Sequence, residues 1–412
     1  MSDFVFVFDP ALDRPIPVPD AAPASVAAAI AAAPIESLRT AVATVRETRA
    51  AALVLFGRVL DPHRASPSQA AVLRSLIAEC AADGCHTVWV TDDTAGCEDI
   101  SRMLGEPRGL LFATPFAPVH LDIRGMPVEI LCGRGDPMAT ASAIASQPQS
   151  AGGDSITRRL IVDWDTSLWS SERWDDTAGS SPRALAGWLQ PGCHCVWGSR
   201  RSLSLPAGIR HVAPLQPRSA HEPMAGGCSV LSLTDFDDAA MDEAAAGAGR
   251  WRTVPTQRVA WKTLTVESAA GGDEELATVI WSALESLPAD PRRTMQIVRC
   301  GVECGTSVAR RVRVAEIAAE TLVRVRDLLD QKASHTWCEA VVAATGESLA
   351  PLGHARSGGR PGTTTSFSSA LADIVVGIEL GRPGDGLPDA LAMPADMARE
   401  AGWLALELIE SA

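Results

Sequence analysis

The residue with the clearest chemical context is Asp9, which closes the run Phe4-Val5-Phe6-Val7-Phe8 and is followed by Pro10. Five consecutive apolar residues, β-branched or aromatic, predict a strand buried on both faces, so Asp9 becomes a carboxylate delivered to the lip of a sheet. Open α/β sheets keep their sites at that lip. Further apolar runs also end in polar groups: Ala51 to Gly57 runs into Arg58-Val59-Leu60-Asp61, and Thr87 to Thr91 into Asp92-Asp93-Thr94. Leu160 to Val162 leads to Asp163-Trp164-Asp165, and Cys195 to Gly198 to Ser199-Arg200-Arg201. Carboxylates gathered from several strand ends could hold a hard divalent cation. Arginines in the same place do the opposite, because a guanidinium cannot be deprotonated and repels such an ion.

The elements that must position these groups alternate between strand and helix. Pro17 to Pro34, rich in Ala and Pro, reads as a loop or insertion with a short helix, and Ile35 to Arg49 as a helix with Leu38, Val42 and Val45 on one face. Ser66 caps a helix reaching Ala82, which Gly84 stops. Strands follow at Thr87 to Thr91, Pro127 to Cys132, Leu160 onward and Ser229 to Leu233. From Arg258 a strand opens a second unit, then a helix over 274–287, a strand over 294–302, a helix over 315–329 and a strand over 336–344. Residues 357–366 are a Gly/Ser/Thr-rich linker, and 368–380 and 395–409 read as helices.

The motifs, taken in order, resemble those of the calcineurin-like metallophosphoesterase superfamily, and within it the SbcD/YhaO-like DNA repair exonuclease branch. Asp9 with Pro10-Ala11-Leu12-Asp13-Arg14-Pro15 matches the opening motif, but Ala11 stands where a metal-binding His is expected. Arg58 replaces the carboxylate that bridges two metals in that family, with Asp61 three residues on. Asp93 and Thr94 take the Asn and His positions of the next motif, Asp165 a His position, and Ser199 and Arg201 the two His of the last one. Gln216, Arg218, Glu222, Gly227 and Cys228 fall at the spacing of a pattern particular to the exonuclease branch.

The resemblance implies a four-layer αββα sandwich over residues 1–250, a small α/β capping domain over 251–346, and a linker with a C-terminal helical segment over 347–412. It implies an SMC-like ABC ATPase with a long coiled coil as partner, DNA ends as ligand, and a dimer of the nuclease-like subunit. The substitutions shift the expectation toward an inactive or impaired subunit with no resident cofactor, in which Arg58 and Arg201 face Asp9, Asp93 and Asp165 as an internal ion-pair cluster. The alternative is an active exonuclease or phosphoesterase whose Mn²⁺ or Mg²⁺ is held by Asp9, Asp93 and Asp165.

Bulk properties narrow the partners. The 412 residues are 46% hydrophobic and 21% charged, with a formal charge of −14, enough for two or more globular domains and against a broad nucleic-acid-coating surface. DNA contact must then use local basic groups: Arg200, Arg201, Arg210 and Arg218 near the rim, and Arg310 and Arg311 with Arg292, Arg293 and Arg313 in the cap. No apolar run approaches the roughly 20 residues of a membrane span and no signal peptide is evident, so a cytoplasmic protein without a membrane association is expected. The ten Cys suit buried thiols better than a disulfide framework; Cys193-His194-Cys195 and the Cys300/Cys304 pair have spacings only loosely compatible with zinc.

Overall fold

The computed structural model describes residues 3–19, 21–133, 158–165, 193–201, 204–219, 222, 224–232, 251–267, 273–287, 294–304, 308–331 and 335–344. It divides into two compact units, residues 1–260 and 261–412.

Unit 1 is an α/β sandwich built around the first strand, β1 (Asp3–Phe8), buried along its whole length. Parallel to it run β2 (Ala52–Phe56), β3 (His86–Val90) and β4 (Leu110–Ala113). A second sheet contains β5 (Val119–Ile123), β6 (Met126–Cys132), β7 (Arg158–Trp164), β8 (Cys193–Gly198) and β9 (Ile209–Val212), parallel except for the β5/β6 hairpin. On the other side of β1, β10 (Gly227–Ser232) and β11 (Trp251–Pro255) complete the first sheet antiparallel, giving the order β11-β10-β1-β2-β3-β4.

The alternation of β1 divides the unit into layers, since successive side chains leave a strand on opposite faces. Phe4, Phe6 and Phe8 point between the sheets and join Val54, Phe56, Val128, Ile130, Leu160, Val162 and Val196 in one core. Val5 and Val7 point outward and join Leu38, Val42, Leu73, Ile77 and Leu104, the buried faces of α1 (Ala24–Thr48), α2 (Pro67–Ala82) and α3 (Gly96–Leu104). Each fully buried Phe or Val contributes about 1.5–3 kcal/mol, so β1 is fastened from both sides. The second sheet's outer face carries its own buried group of Leu131, Ile161, Cys195, Trp197 and Ile209. The connections 134–157 and 166–192, where the fourth layer was expected, lie outside the described residues.

Three expectations change. Residues 24–34 are not a loop: α1 runs unbroken from Ala24 through Pro34 to Thr48. Ala is the strongest helix former, and the continuous buried face of Val26, Ile30, Ala33, Ser37 and Leu38 offsets the one hydrogen bond that Pro34 cannot donate. By length and composition α1 is also apolar enough to cross a membrane, but its buried face lines the helix-side core. The second change is the boundary, at 260/261 rather than 250/251, because β11 is hydrogen-bonded along β10. Gln216 fixes this end: its Oε1 accepts from Ser37 Oγ at 3.1 Å and Arg258 N at 2.8 Å, and its Nε2 donates to Val259 O at 2.7 Å. The third is α3 with β4, β5, β9 and β11, short elements that the sequence reading passed over.

Unit 2 is a three-stranded sheet in the order β12 (Val259–Glu267), β13 (Met295–Glu303), β14 (Thr336–Ala344), with α4 (Asp273–Glu285) and α5 (Val308–Gln331). Leu276, Ile280, Val298, Val302, Val325 and Leu329 form its core. The parallel β13/β14 pairing slips by one residue after Val298. Arg326 answers the slip by donating to Cys338 O and Glu339 O, both at 2.9 Å, while its guanidinium lies 4.4 Å over the Trp337 ring. The linker and helices expected beyond residue 346 lie outside the described residues.

Candidate functional site

At the C-terminal ends of β1 and β2 the two strands continue into loops that remain zipped together. Asp9 N donates to Phe56 O at 2.9 Å, Ala11 N to Arg58 O at 2.7 Å and Leu12 N to Val59 O at 3.0 Å. To turn this way both Asp9 (φ 52°) and Ala11 (φ 42°) adopt left-handed backbone, which costs a non-glycine residue of order 1–3 kcal/mol and persists only where the surroundings hold it. Arg218 is part of what holds it: its guanidinium donates to Arg14 O at 2.6 Å and Ala11 O at 2.7 Å.

The carboxylate of Asp9, 1% exposed, is gripped from two directions. Arg58 reaches it side-on, Nε to Oδ1 at 3.1 Å and Nη2 to Oδ2 at 3.2 Å. Arg200, in the loop after β8, donates from Nε to Oδ2 at 2.6 Å and from Nη1 to Glu222 Oε1 at 2.8 Å. Two residues before it, Gly198 lies so close to β1 and β2 that a Cβ would sit 2.4 Å from Phe8 Cδ2 and 2.6 Å from Phe56 Cε2. The result is a chain of charges, Arg58–Asp9–Arg200–Glu222, nearly closed to solvent.

Burial pushes the Asp9 carboxyl up, but Arg200 and Arg58 more than reverse this and leave it below its ordinary value. For Arg200 burial favours the neutral form, and Asp9 and Glu222 overcome it, raising its pKa. Glu222 is raised, with burial outweighing the help of Arg200. Burial, with Arg200 beside it, lowers Arg218 to about 10, which leaves it charged at neutral pH.

Arg58 and Arg201 were the guanidiniums expected at Asp9; Arg58 is there, and the second is Arg200 instead of Arg201. Strand parity explains the correction: Val196 and Gly198 face the space between the sheets, and Arg200 continues that series. Arg201 follows on the other side, its backbone N donating to Ser199 Oγ at 3.0 Å. Glu222 was legible only as part of a spacing pattern, and its pairing with Arg200 is new. Ala11 is fully buried and Thr94 is exposed. Asp61 accepts from His63 N at 2.9 Å within its own turn.

A carboxylate-held cation does not fit these residues. Both oxygens of Asp9 are taken by guanidiniums. Asp93 is exposed, with Oδ1 accepting from Gly96 N at 2.9 Å. Asp165 is half-buried, its N donating to Gly198 O at 2.9 Å. Among the described residues no three His, Cys, Asp or Glu converge as a metal-binding group, which also removes the two Cys-based zinc sets. Cys195 belongs to the outer cluster of the second sheet, and Cys300 meets Cys338 at 3.8 Å between sulfurs.

Three of the arginines expected to follow a DNA backbone are structural. Arg200 and Arg218 are 8% and 9% exposed and spend their donors inward. Arg210 lies 5.8 Å over the Trp251 ring and donates to Thr253 Oγ1 at 3.0 Å, tying β9 to β11. Arg310 and Arg311 lie on α5, but their side chains are outside what is described.

No protein-family model matches the chain, and no curated protein matches it. Among solved structures it is similar to TT1561 of Thermus thermophilus, with 11% identity, 62% of this chain and 99% of that one covered, and a TM-score of 0.36. A second similarity is to a structure described as a novel archaeal phosphodiesterase, with 7% identity, 61% and 99% covered, and a TM-score of 0.28. At such scores the architecture rests on this chain's own strand order and cores.

Proposed function

We propose that this chain is a non-hydrolytic member of the calcineurin-like metallophosphoesterase superfamily, a cytoplasmic scaffold or DNA-end-binding partner of an SMC-like coiled-coil ATPase. The observation that carries the reading is the double grip on Asp9. At the sheet lip, where hydrolysis of a phosphodiester by two metals would need carboxylates and neutral imidazoles, fixed guanidinium charge holds the strand ends together. The motif spacings from Asp9 to Cys228 support the superfamily and the exonuclease branch, and the branch supports the ATPase and a dimer of this chain.

In this reading the arrangement stands in place of catalysis. A charge chain that is bonded at every link keeps the β1 and β2 loops in one shape without a cation, so the lip is preorganised for recognition. Calorimetric titration with Mn²⁺ and Mg²⁺, together with an exonuclease assay on labelled duplex, tests it. The expected result is no saturable heat and no cleavage, unchanged in Asp9→Ala. Metal-dependent cleavage that Asp9→Ala abolishes would overturn the reading, and co-purification with a coiled-coil ATPase would extend it.

A further inference from the structure

Among the described residues β5 is the last strand of its sheet, so one of its edges has no neighbouring strand. Its hairpin with β6 shows which groups that edge carries. Arg124 and Gly125 form a two-residue turn with φ 57° and 82°, both left-handed, and such a turn is flanked by a hydrogen-bonded pair, here Ile123 and Met126. Alternating back from there, Val119, Leu121 and Ile123 bond to β6, while His120 and Asp122 direct N–H and C=O to the open edge. His120 and Asp122 are exposed, whereas Val119, Leu121 and Ile123 belong to the core between the sheets. No proline, lysine or bulge guards the strand, the devices that keep most edges from pairing.

We infer that β5 is a homodimerisation edge, on which a second copy of this chain pairs antiparallel about a two-fold axis at Leu121 and continues the sheet. In that register His120 meets the partner's Asp122, and Asp122 meets the partner's His120. Both residues of each pair aim their backbone groups at the edge, so each pair can exchange N–H···O=C bonds in both directions. Each also sets an imidazole beside a carboxylate, a favourable cross-strand pair. Asp122 gives Oδ1 to Gly125 N at 2.7 Å, which leaves Oδ2 for that imidazole. On its other side His120 lies 3.9 Å from Glu129, which Arg159 bonds at 2.9 Å, so a protonated His120 would stand in a row of alternating charge across the joined sheet. The neighbouring registers do worse. One sets His120 against the partner's His120 and Asp122 against the partner's Pro118, which has no N–H to give; the other sets Asp122 against the partner's Asp122 and His120 against the partner's Arg124, in the left-handed turn. The favoured register also carries Phe116, 85% exposed at the tip of the Thr114–Ala117 turn, to the level of the partner's Met126. The inference goes beyond the proposed function, in which a dimer is expected without a surface, and draws only on the strand itself.

Sedimentation equilibrium of the full chain over a concentration series, with hydrogen exchange resolved to single amides, tests it. The expected result is a reversible monomer–dimer equilibrium in which the amides of His120 and Asp122 gain about tenfold protection as the dimer forms, while those of Leu121 and Ile123, bonded to β6, do not change. His120→Pro removes an edge donor and leaves the β5/β6 bonds in place, so it should abolish the dimer. Should that variant fail to fold, His120→Glu serves: it sets carboxylate against carboxylate and should weaken the dimer about tenfold, and adding Asp122→Lys should restore it, which a loss of folding would not allow. A monomer at every concentration overturns the inference. So does a dimer that His120→Pro or His120→Glu leaves intact, which would keep the dimer of the proposed function but move it to another surface. Protection of the His120 and Asp122 amides that does not depend on concentration would mean that something other than a second copy covers the edge, and overturns the inference too.

Discussion

At the scale of single residues, the buried charges are worth more as a set than their pairs suggest. Removing one member of a buried ion pair leaves the other charge unpaired, at a cost of about 3–5 kcal/mol. Arg200→Met should therefore lower stability by up to that amount in urea unfolding, because it takes the guanidinium from Glu222 and leaves Asp9 with Arg58 alone. Adding Glu222→Leu to it should recover part of the loss, since the carboxylate left without Arg200 is removed while Asp9 keeps Arg58. The pH dependence follows from the sign of the Asp9 shift. Its folded pKa lies below its ordinary value of 3.8, so its contribution is complete above that value and is lost as pH falls through the folded pKa. The stability gap between wild type and Asp9→Asn should thus be flat at neutral pH and narrow only in acid. Glu222, raised mainly by burial, runs the other way, so the comparison with Asp9→Asn is needed to isolate the contribution of Asp9.

Among elements, β8 shows how a backbone position can govern a distant charge. Gly198 admits Phe8 and Phe56 where any Cβ would collide, and overpacking of this kind costs about 1–3 kcal/mol. Gly198→Ala should destabilise unit 1 by at least that much and displace Arg200, which would show as a rise in the Asp9 pKa by carbon-detected NMR titration. Elements with strong periodic or apolar signals were readable from sequence: β1, the Ser66-capped α2 and the β13/β14 strands emerge within a few residues of their expected ends. Those that were missed are short. β4, β5 and β9 are four or five residues long, and β4 and β9 owe their pairing to strands beyond an intervening segment, while Pro34 looks like a helix end until its buried face is seen. The Asp9/Arg58 pair was foreseen from motif spacing, whereas the choice of Arg200 over Arg201 needed strand parity carried past the last residue of β8.

For the whole molecule, the division into two units with separate cores predicts how it comes apart. Ile280, fully buried in unit 2, makes its contacts within that core, and Ile→Ala at such a site costs about 2–5 kcal/mol. Ile280→Ala should lower one of two calorimetric transitions and leave the other, assigned to unit 1, in place. A single transition that shifts as a whole would show the units to be thermodynamically one. The formal charge of −14 acts at this scale too. It opposes approach of any polyanion to most of the surface.

The shared grip on Asp9 also has a historical side. With Arg58 and Arg200 each leaning on the same carboxylate, replacing either one by a metal-friendly residue leaves the other guanidinium against Asp9. Selection working one codon at a time meets a valley there, and a directed-evolution campaign seeking hydrolysis would have to change both arginines at once.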